Sequence, residues 1–334
     1  MEIVNQLEEA AWREFVHNHP HGNIFHTPEM FQVFARTKGY QPALWAAKSD
    51  NGQVLALLLP VKITVLDGLL RYFSSRSVAY GSVLCLQDHE GREALSRLLR
   101  KYNKKIGGSV VFTELRNLFD MSGLQDILSS QRYAYEGHLN YLINLSRPLE
   151  EIWQDIRSNA RRNIQKARKS GVVIEEAESL DELLGAYTLL HDVYKRIQVP
   201  LPHSSLFEAC FELLHPQNMM RILLAKVEGA TIGVLTLLLY KDLVYYWYTG
   251  TIRSHASFRA GDLLVWHALE FGQRNGYRLF DFGGGGKPDE EYGVRDFKAK
   301  FGGELVNFGR NTCVHSPLRL KISEKGYHLI RRFI

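Results

Sequence analysis

The chain of 334 residues is long enough for about two domains that each bury a core. Its 45% hydrophobic, 11% aromatic and 23% charged residues are typical of a globular protein and exclude a disordered, collagen-like or coiled-coil chain. Lys and Arg (41) exceed Asp and Glu (36), an excess that permits an anionic partner without requiring one.

The N-terminal segment predicts no targeting signal, because it is acidic and amphipathic and has no basic stretch leading into an apolar one. No apolar run reaches the roughly 18 residues of a membrane span. We therefore expect a cytoplasmic protein without a transmembrane segment. No metal site is predicted, and the three cysteines fit no zinc spacing. His17, His19, His21 and His26 could suggest a metal, but the first three have no carboxylate or cysteine companion and are expected in a surface loop.

Residues 45–59 and 224–239 share one pattern, a strand, a tight glycine turn and a second strand. In both halves a third strand, a helix and a short strand follow, with the helices near 91–105 and 260–274. A strand, helix and strand in succession imply a parallel crossover, so each half mixes antiparallel and parallel pairing. The pattern predicts an α/β chain of two related domains with mixed sheets. The alternative is a chance recurrence of hairpins with glycine turns.

The boundary between the two domains is predicted near Pro148, which suits the first turn of a helix and follows a strand ending at Leu145. The first domain is then 1–147, which residues 310–334 are expected to complete, and the second is 148–309. A cleft is expected between the two domains.

A basic helix is predicted after Pro148, with one apolar stripe made by Trp153, Ile156, Ala160, Ile164 and Ala167. Most of its remaining surface is basic: Arg157, Arg161, Arg162, Lys166, Arg168 and Lys169. Helical spacing places Arg157, Arg161 and Arg168 beside the apolar stripe, where they could line a cleft. Such a helix favours an anionic partner, a diphosphate or an RNA backbone. The alternative is a solvated basic face.

The segment Asp281-Phe282-Gly283-Gly284-Gly285-Gly286 follows a predicted strand, and its glycines let the backbone approach a ligand or bend. It matches neither a kinase nor a Walker pattern. Tyr248 ends a strand beside Thr249-Gly250-Thr251. Lys298 lies in a short predicted helix, where it is either functional or an ordinary surface residue.

These motifs in this order resemble the FemABX peptidyltransferase family and its FemAB-like relatives. The motifs that carry the resemblance are Trp153 and Ile156 with the run 161–167 and Gly171-Val172, then Tyr248-Thr249-Gly250-Thr251, Asp281-Phe282-Gly283-Gly284 and Val294-Arg295-Asp296-Phe297-Lys298-Ala299-Lys300-Phe301-Gly302. In the first half, Ile24-Phe25-His26-Thr27 through Phe31 and Gly39-Tyr40-Gln41-Pro42 are similar to the family's opening. The resemblance spans nearly the whole chain.

The family implies two GCN5-related acyltransferase (GNAT) domains in tandem, the second carrying the acyl-transfer site. Its members move an amino acid from aminoacyl-tRNA to an amino group of a peptidoglycan-precursor stem peptide, in cell-wall synthesis. The resemblance implies that Lys298 faces the oxyanion of the tetrahedral intermediate and that Phe297 packs the acyl group. Tyr248 would hydrogen-bond the substrate or the leaving group.

The resemblance also implies where the acceptor binds. Arg161, with Arg157 as its neighbour, would meet acceptor phosphates, and Arg36 and Lys38 in the first domain are further candidates. Asp281 is a candidate substrate-binding residue and a possible general base. The acceptor is expected to be a UDP-linked or lipid-linked envelope precursor.

No cofactor is expected, and aminoacyl-tRNA is the favoured donor. The long helical hairpin that some family members insert for tRNA contact has no counterpart in residues 179–214, and an acyl-CoA donor is the alternative. Residues 251–261 lack the Arg/Gln-x-x-Gly-x-Gly/Ala loop with which GNAT domains bind the CoA pyrophosphate.

A third possibility is a non-catalytic protein that binds RNA or an anionic surface. It would use the basic helix and the C-terminal segment 318–334, which includes Arg319, Lys321, Lys325, Arg331 and Arg332. Peripheral membrane contact is possible through this segment. We also expect it to pack on the first domain through Leu318, Ile322, Leu329 and Ile330.

Overall fold

Contacts within the chain define two units, Met1–Gly137 with Phe308–Ile334 and His138–Asn307. The computed structural model describes residues 1–64 and 71–330, and the side chains of all of these except 71 and 324–330. Each unit is an assembly of mixed β-sheet and helices, so the predicted α/β class with mixed sheets is confirmed. Among the described residues, no helix combines the length and the hydrophobicity of a membrane span.

The strands and helices follow one another in mixed order in both units. The strands up to residue 137 are β1 (Glu2–Val4), β2 (Tyr40–Pro42), β3 (Trp45–Lys48), β4 (Val54–Leu58), β5 (Val61–Ile63), β6 (Arg76–Ala79), β7 (Val83–Cys85), β8 (Phe112–Arg116) and β9 (Ala134–Glu136). The later strands are β10 (Leu139–Asn144), β11 (Val173–Glu176), β12 (Met220–Val227), β13 (Ala230–Tyr240), β14 (Leu243–Thr251), β15 (Leu279–Asp281), β16 (Glu304–Asn307) and β17 (Arg310–Val314). The helices are α1 (Glu9–Asn18), α2 (Pro28–Arg36), α3 (Arg71–Ser74), α4 (His89–Ile106), α5 (Gln125–Ser130), α6 (Leu149–Asp155), α7 (Ser158–Lys169), α8 (Leu180–Arg196), α9 (Ser204–Leu213), α10 (Ala260–Arg274), α11 (Gly293–Lys298) and α12 (Pro317–Ile330).

The first unit contains two sheets, with strand orders β1-β3-β4-β7 and β2-β5-β6-β8-β17-β9. The extended run of residues 54–63 is interrupted near Pro60, which has no N–H for the ladder, and β4 and β5 belong to different sheets. The predicted parallel crossover into β8 is present. The strand parallel to β8 is β6, whereas β7 pairs with β4 in the other sheet.

The second unit is built on one seven-stranded sheet of order β11-β12-β13-β14-β15-β10-β16. Its hairpin β12–β13 turns at Glu228 and Gly229, both at positive φ, as a tight two-residue turn requires. The strands β14 and β15 are parallel and their other neighbours antiparallel, as the strand, helix and strand pattern predicts. Helix α10 packs on β13 and α7 packs on α10, which places the basic helix beside the crossover.

The division between the units differs in place from the predicted boundary. Strand β10 lies between β15 and β16, so the second unit begins before this strand rather than after it. Strand β17 pairs with β8 and β9 and belongs to the first unit.

The basic segment after Pro148 is two helices, and the predicted single helix is wrong. Ile156 and Arg157 are extended, with ψ of 128° and 143°, and separate α6 from α7. The Arg157 N–H donates to the carbonyl oxygen of Lys300 (2.8 Å), a partner that no local pattern could reveal. Arg157 therefore precedes α7 instead of lying on its helical face.

The segment around α12 belongs to the first unit, but not through the predicted apolar contacts. Leu318 and Ile322 are 71% and 45% exposed, so their predicted anchoring is wrong. Arg319 instead donates to the carbonyl oxygens of Gly107 (3.2 Å) and Gly108 (3.3 Å). The side chains of Lys325, Leu329 and Ile330, and all of Arg331 and Arg332, lie outside the described residues.

The expected surface loop of histidines is wrong for His19, which is 6% exposed, and His26 beyond that loop is also buried, 1% exposed. His19 Nε2 is hydrogen-bonded to the Cys85 carbonyl oxygen (2.8 Å), and His26 forms a capping box with Asn23. Both rings therefore have structural partners in the first unit.

Candidate functional site

The candidate site of the second unit centres on Gly283 and Gly284, which we call the glycine bulge. Parallel pairing of β14 with β15 ends at Asp281. The residues that follow Asp281 remain hydrogen-bonded to β10. Between its bonds to β10, the glycine bulge arches with φ of +74° and +122°. A Cβ at Gly283 would lie 2.6 Å from the Tyr246 carbonyl oxygen, so both the conformation and the space require glycine.

Three side chains form hydrogen bonds with backbone groups in and next to the glycine bulge. The Gly283 N–H donates to Asp281 Oδ1 (2.6 Å) and the Gly284 N–H to Asn140 Oδ1 (2.9 Å). Asn140 Nδ2 donates to Asp281 Oδ1 (2.7 Å), which joins the two acceptors. Lys298 Nζ donates to the carbonyl oxygens of Phe282 and Gly284, the latter at 2.7 Å. The sequence predicted Asp281 and Lys298 as site residues, but Asn140 was missed.

Lys298 is a buried cation, 5% exposed, and its Nζ lies 5.1 Å from the centre of the Tyr246 ring. Burial lowers the pKa of Lys298 to about 8, against the opposing influence of the Asp281 carboxylate. Burial raises the pKa of Asp281, which is 1% exposed. An ammonium group has three donors, and the two carbonyl oxygens engage two of them.

We expect Lys298 to make stability rise with pH in the alkaline range. Its folded pKa of about 8 lies below the ordinary value of 10.5, so the unfolded state binds more protons between these two pH values. The unfolding free energy therefore increases across this window, by roughly 2 to 4 kcal/mol from this residue when the window is complete. Urea denaturation of the parent and of Lys298→Met near pH 7 and near pH 10 measures it. The unfolding free energy of the parent should increase relative to that of the variant as pH rises. A constant or shrinking difference between these two free energies would contradict the prediction.

The first turn of α10 is packed against an aromatic ring and contains a buried carboxylate. A Cβ at Gly261 would be 3.8 Å from Phe297 Cζ. Asp262, 7% exposed, accepts from Asn163 Nδ2 (3.3 Å), and burial raises its pKa. The preceding residues Arg253–Phe258 form a 3₁₀ helix. An aromatic ring and an acid at a helix N-terminus suit a phosphate group poorly.

A β-bulge in the β13–β14 pair determines where the tyrosines of β14 lie. Leu237 pairs with Tyr246 and Leu235 with Thr249, so Thr236 faces two residues of β14. The Tyr248 ring packs against Tyr194 of α8 and Phe207 of α9, with ring centres 5.9 and 5.1 Å away. Tyr246 is the tyrosine whose ring lies next to Lys298, because this bulge interrupts the alternation of faces along β14.

The basic helix α7 adjoins the segment that carries Phe297 and Lys298, through the bond from Arg157 to Lys300. Ala160, Ile164 and Ala167 are buried, as the apolar stripe predicts. Arg157 is exposed and Arg161 half-buried. Arg168 pairs with Glu270 (3.2 Å). The other predicted acceptor residues, Arg36 at the end of α2 and Lys38, are exposed and belong to the first unit.

The first unit contains an arginine cluster that the sequence did not reveal. Glu114 accepts from Arg116 Nε (2.6 Å) and Arg310 Nη1 (3.3 Å). Arg116 and Arg310, with Arg76 near them, lower the pKa of Glu114 to about 2 although burial opposes this. The Arg116 guanidinium lies 5.0 Å from the centre of the Tyr80 ring. The register of β8 opposite β17 creates this cluster, which has more positive than negative charge.

Comparisons with known proteins agree with this architecture. Residues 154–298 match the family model of the acetyltransferase (GNAT) domain. FemX is structurally similar over 97% of this chain and 100% of its own, with a TM-score of 0.72 and 15% identity. No curated protein sequence matches the chain.

Two further structures share the fold. The C-terminal domain of a putative lysylphosphatidylglycerol synthetase from Agrobacterium fabrum matches with a TM-score of 0.59 and 11% identity, over 96% of this chain and 95% of its own. A tandem GNAT protein from the clavulanic acid biosynthesis pathway matches with a TM-score of 0.59 and 11% identity, over 95% of this chain and 99% of its own. The predicted FemABX-like fold and the acyltransferase class are confirmed. Residues 154–298 therefore match a GNAT acyltransferase domain, within a chain that has the FemABX-like tandem GNAT fold.

Proposed function

We propose that this acyltransferase moves an amino-acyl group to an amine of a cell-envelope precursor of the peptidoglycan type. The observation that carries the proposal is the contact between Arg157 and Lys300. It places a helix with unusually many basic residues beside the segment of Phe297 and the buried Lys298. Groups suited to an anionic acceptor and a group suited to a developing oxyanion thus adjoin one another in the second unit.

The chemistry requires an amine, an activated acyl group and a stabilised oxyanion. The neutral acceptor amine attacks the carbonyl carbon of the ester, and the carbonyl electrons move onto oxygen. When the tetrahedral intermediate collapses, the C–O bond of the ester breaks, the amide forms, and the proton lost by nitrogen goes to the leaving oxygen. Lys298 would supply its third N–H to the oxyanion from a site with little water. Phe297 would pack against the acyl group.

The acceptor is proposed to carry phosphate. Arg157 and Arg161 would bind it in the second unit. Arg36 and Lys38 are separate candidates of the first unit, in which the arginine cluster is also positively charged. Guanidinium groups bind phosphate through paired hydrogen bonds. The names of two structural relatives, FemX and a lysylphosphatidylglycerol synthetase, support an envelope precursor, whether UDP-linked or lipid-linked.

Aminoacyl-tRNA is the proposed donor, and no cofactor is proposed. The packing of Phe297 and Asp262 at the first turn of α10 supports this, because a CoA pyrophosphate would need that turn to be open. The second candidate is an acyl-CoA donor, which the acetyltransferase name of the matching domain model favours.

A transfer assay tests the proposal and separates the donors. The full chain is incubated with a UDP-linked peptidoglycan precursor and either an aminoacyl-tRNA mixture or acetyl-CoA, and the acceptor mass is measured. A mass increase of one amino-acyl residue with aminoacyl-tRNA is expected. An acetyl increase would assign the acyl-CoA function instead, and unchanged mass with UDP-linked and lipid-linked precursors alike would refute an envelope acceptor.

Arg161→Ala is expected to weaken binding of the UDP-linked precursor by about tenfold or more. A half-buried guanidinium loses a charge-assisted contact of roughly 1.5 to 3 kcal/mol. Calorimetry measures the affinity, and Arg162→Ala, at an exposed position of the same helix, is the matched control. An Arg161→Ala variant that binds the precursor as tightly as the parent would make α7 a solvated basic face.

A further inference from the structure

We propose that Asn140 is the positioning residue of the candidate site, whose side-chain amide holds the glycine bulge in the shape that presents two carbonyl oxygens to Lys298. Its use in catalysis rests on the proposed function, but the positioning itself is a property of the folded chain. Asn140 lies outside the motifs that resemble those of the FemABX family.

The side-chain amide of Asn140 is buried, and both its nitrogen and its oxygen are hydrogen-bonded. The residue is 6% exposed and lies on β10 opposite Val306 of β16. Its Nδ2 donates to Asp281, and its Oδ1 accepts from the N–H groups of Gly284 and Tyr141, both at 2.9 Å. A buried amide without partners would be costly, so a strand interior normally carries an apolar residue at such a position. Asn140 is tolerated at this buried position because its side chain forms these hydrogen bonds.

The shape of the amide explains why asparagine suits this position. The side chain must donate to a carboxylate and also accept from a backbone N–H, and a carboxamide does both at once. An aspartate would keep the bond from Gly284 but would place a second carboxylate against Asp281 in a buried site. Like charges at this distance cannot both remain ionised, and one carboxyl group would hold a proton.

The effect of Asn140 reaches Lys298 through the backbone. Asn140 fixes the N–H of Gly284, and Lys298 binds the carbonyl oxygen of the same residue. Asp281 fixes the N–H of Gly283 and is itself bound by Asn140. Without the Asn140 amide, the N–H groups of the glycine bulge are therefore less firmly held. The carbonyl oxygens that accept from the Lys298 ammonium group are then no longer fixed in position.

A charge-swap experiment tests the proposal without any substrate. Asn140→Asp introduces the second carboxylate. The double variant Asn140→Asp/Asp281→Asn exchanges the two groups and keeps the net charge of the parent. One oxygen of Asp281 accepts from both Gly283 and Asn140 in the parent, so the new amide has to turn and place its oxygen toward Gly283 and its nitrogen toward residue 140. With that rotation, both N–H groups of the glycine bulge have acceptors again. Asn144→Asp is the matched control, because Asn144 is exposed on the same strand and its side chain accepts from the Ser146 N–H.

Hydrogen exchange of the Gly283 and Gly284 amides and the NMR titration of Lys298 Nζ are the readouts. Asn140→Asp should accelerate the exchange by about tenfold or more and raise the titration midpoint of Lys298. The swap variant should return both values to those of the parent, and it is expected to fold even if the single variant does not. A purely general loss of stability would not move the lysine titration.

Two results would overturn the proposal. One is an Asn140→Asp variant in which both amides exchange as in Asn144→Asp. The other is a swap variant whose amides exchange as fast as those of the single variant, or which fails to fold. Because neither readout needs acyl transfer, a chain without transfer activity would contradict the proposed function and leave this test valid.

Discussion

Replacing Lys298 by Met is expected to lower the turnover of acyl transfer by about a hundredfold or more. Loss of one donor to an oxyanion costs roughly 3 kcal/mol of transition-state stabilisation in other acyl transfers. Here the donor is a cation in a buried site, where charge interacts more strongly than in water. Turnover is measured with the donor and acceptor that the transfer assay identifies. Lys104→Met, at an exposed position of α4, is the control and should be as active as the parent.

The same substitution also affects folding, and a second variant separates the two effects. Lys298→Met leaves the carbonyl oxygens of Phe282 and Gly284 without their donor and the Asp281 charge without its counterpart. Breaking a buried charge pair costs about 3 to 5 kcal/mol, whereas removing both charges costs much less. Lys298→Met/Asp281→Asn should therefore recover much of the stability while turnover stays low. Recovery of turnover with stability would show that Lys298 serves only as a counter-charge.

The hairpins of the fold could be predicted because their signals are local. The turns at Asn51-Gly52 and Glu228-Gly229 need positive φ, and the residues that supply it are adjacent in sequence. The parallel pairing of β14 with β15 follows from one strand, one helix and one strand in succession. The break between α6 and α7 depends instead on Lys300, far along the chain, so helical periodicity alone predicted a single helix.

The candidate site could be predicted only in part, for a related reason. Lys298 and Asp281 lie in motifs, whereas Asn140 looks like one polar residue in an apolar strand until the sheet places it beside Asp281. Tyr246 was missed in favour of Tyr248 because a β-bulge, set by cross-strand register, changes which residue faces Lys298. Side chains that act through long-range register leave no spacing pattern for a sequence to show.

Gly283→Ala is expected to destabilise the chain by about 3 kcal/mol or more. A residue with a side chain is strained at φ of +74°, and its Cβ would also lie 2.6 Å from the Tyr246 carbonyl oxygen, a backbone atom that cannot rotate away. The glycine bulge would have to shift away from Tyr246, and the acceptors of Lys298 would move with it.

Two other glycines separate strain from collision in the same denaturation measurement. Gly276 has φ of +76° with open space around its Cβ position, so Gly276→Ala should show the conformational strain alone, about 1 kcal/mol. Gly293 has open space and lacks positive φ, so Gly293→Ala should be neutral or slightly stabilising. The excess loss in Gly283→Ala over Gly276→Ala then measures the collision with Tyr246. Equal losses in these two variants would mean that the bulge yields freely, and a bulge that yields freely could not hold Lys298 in place.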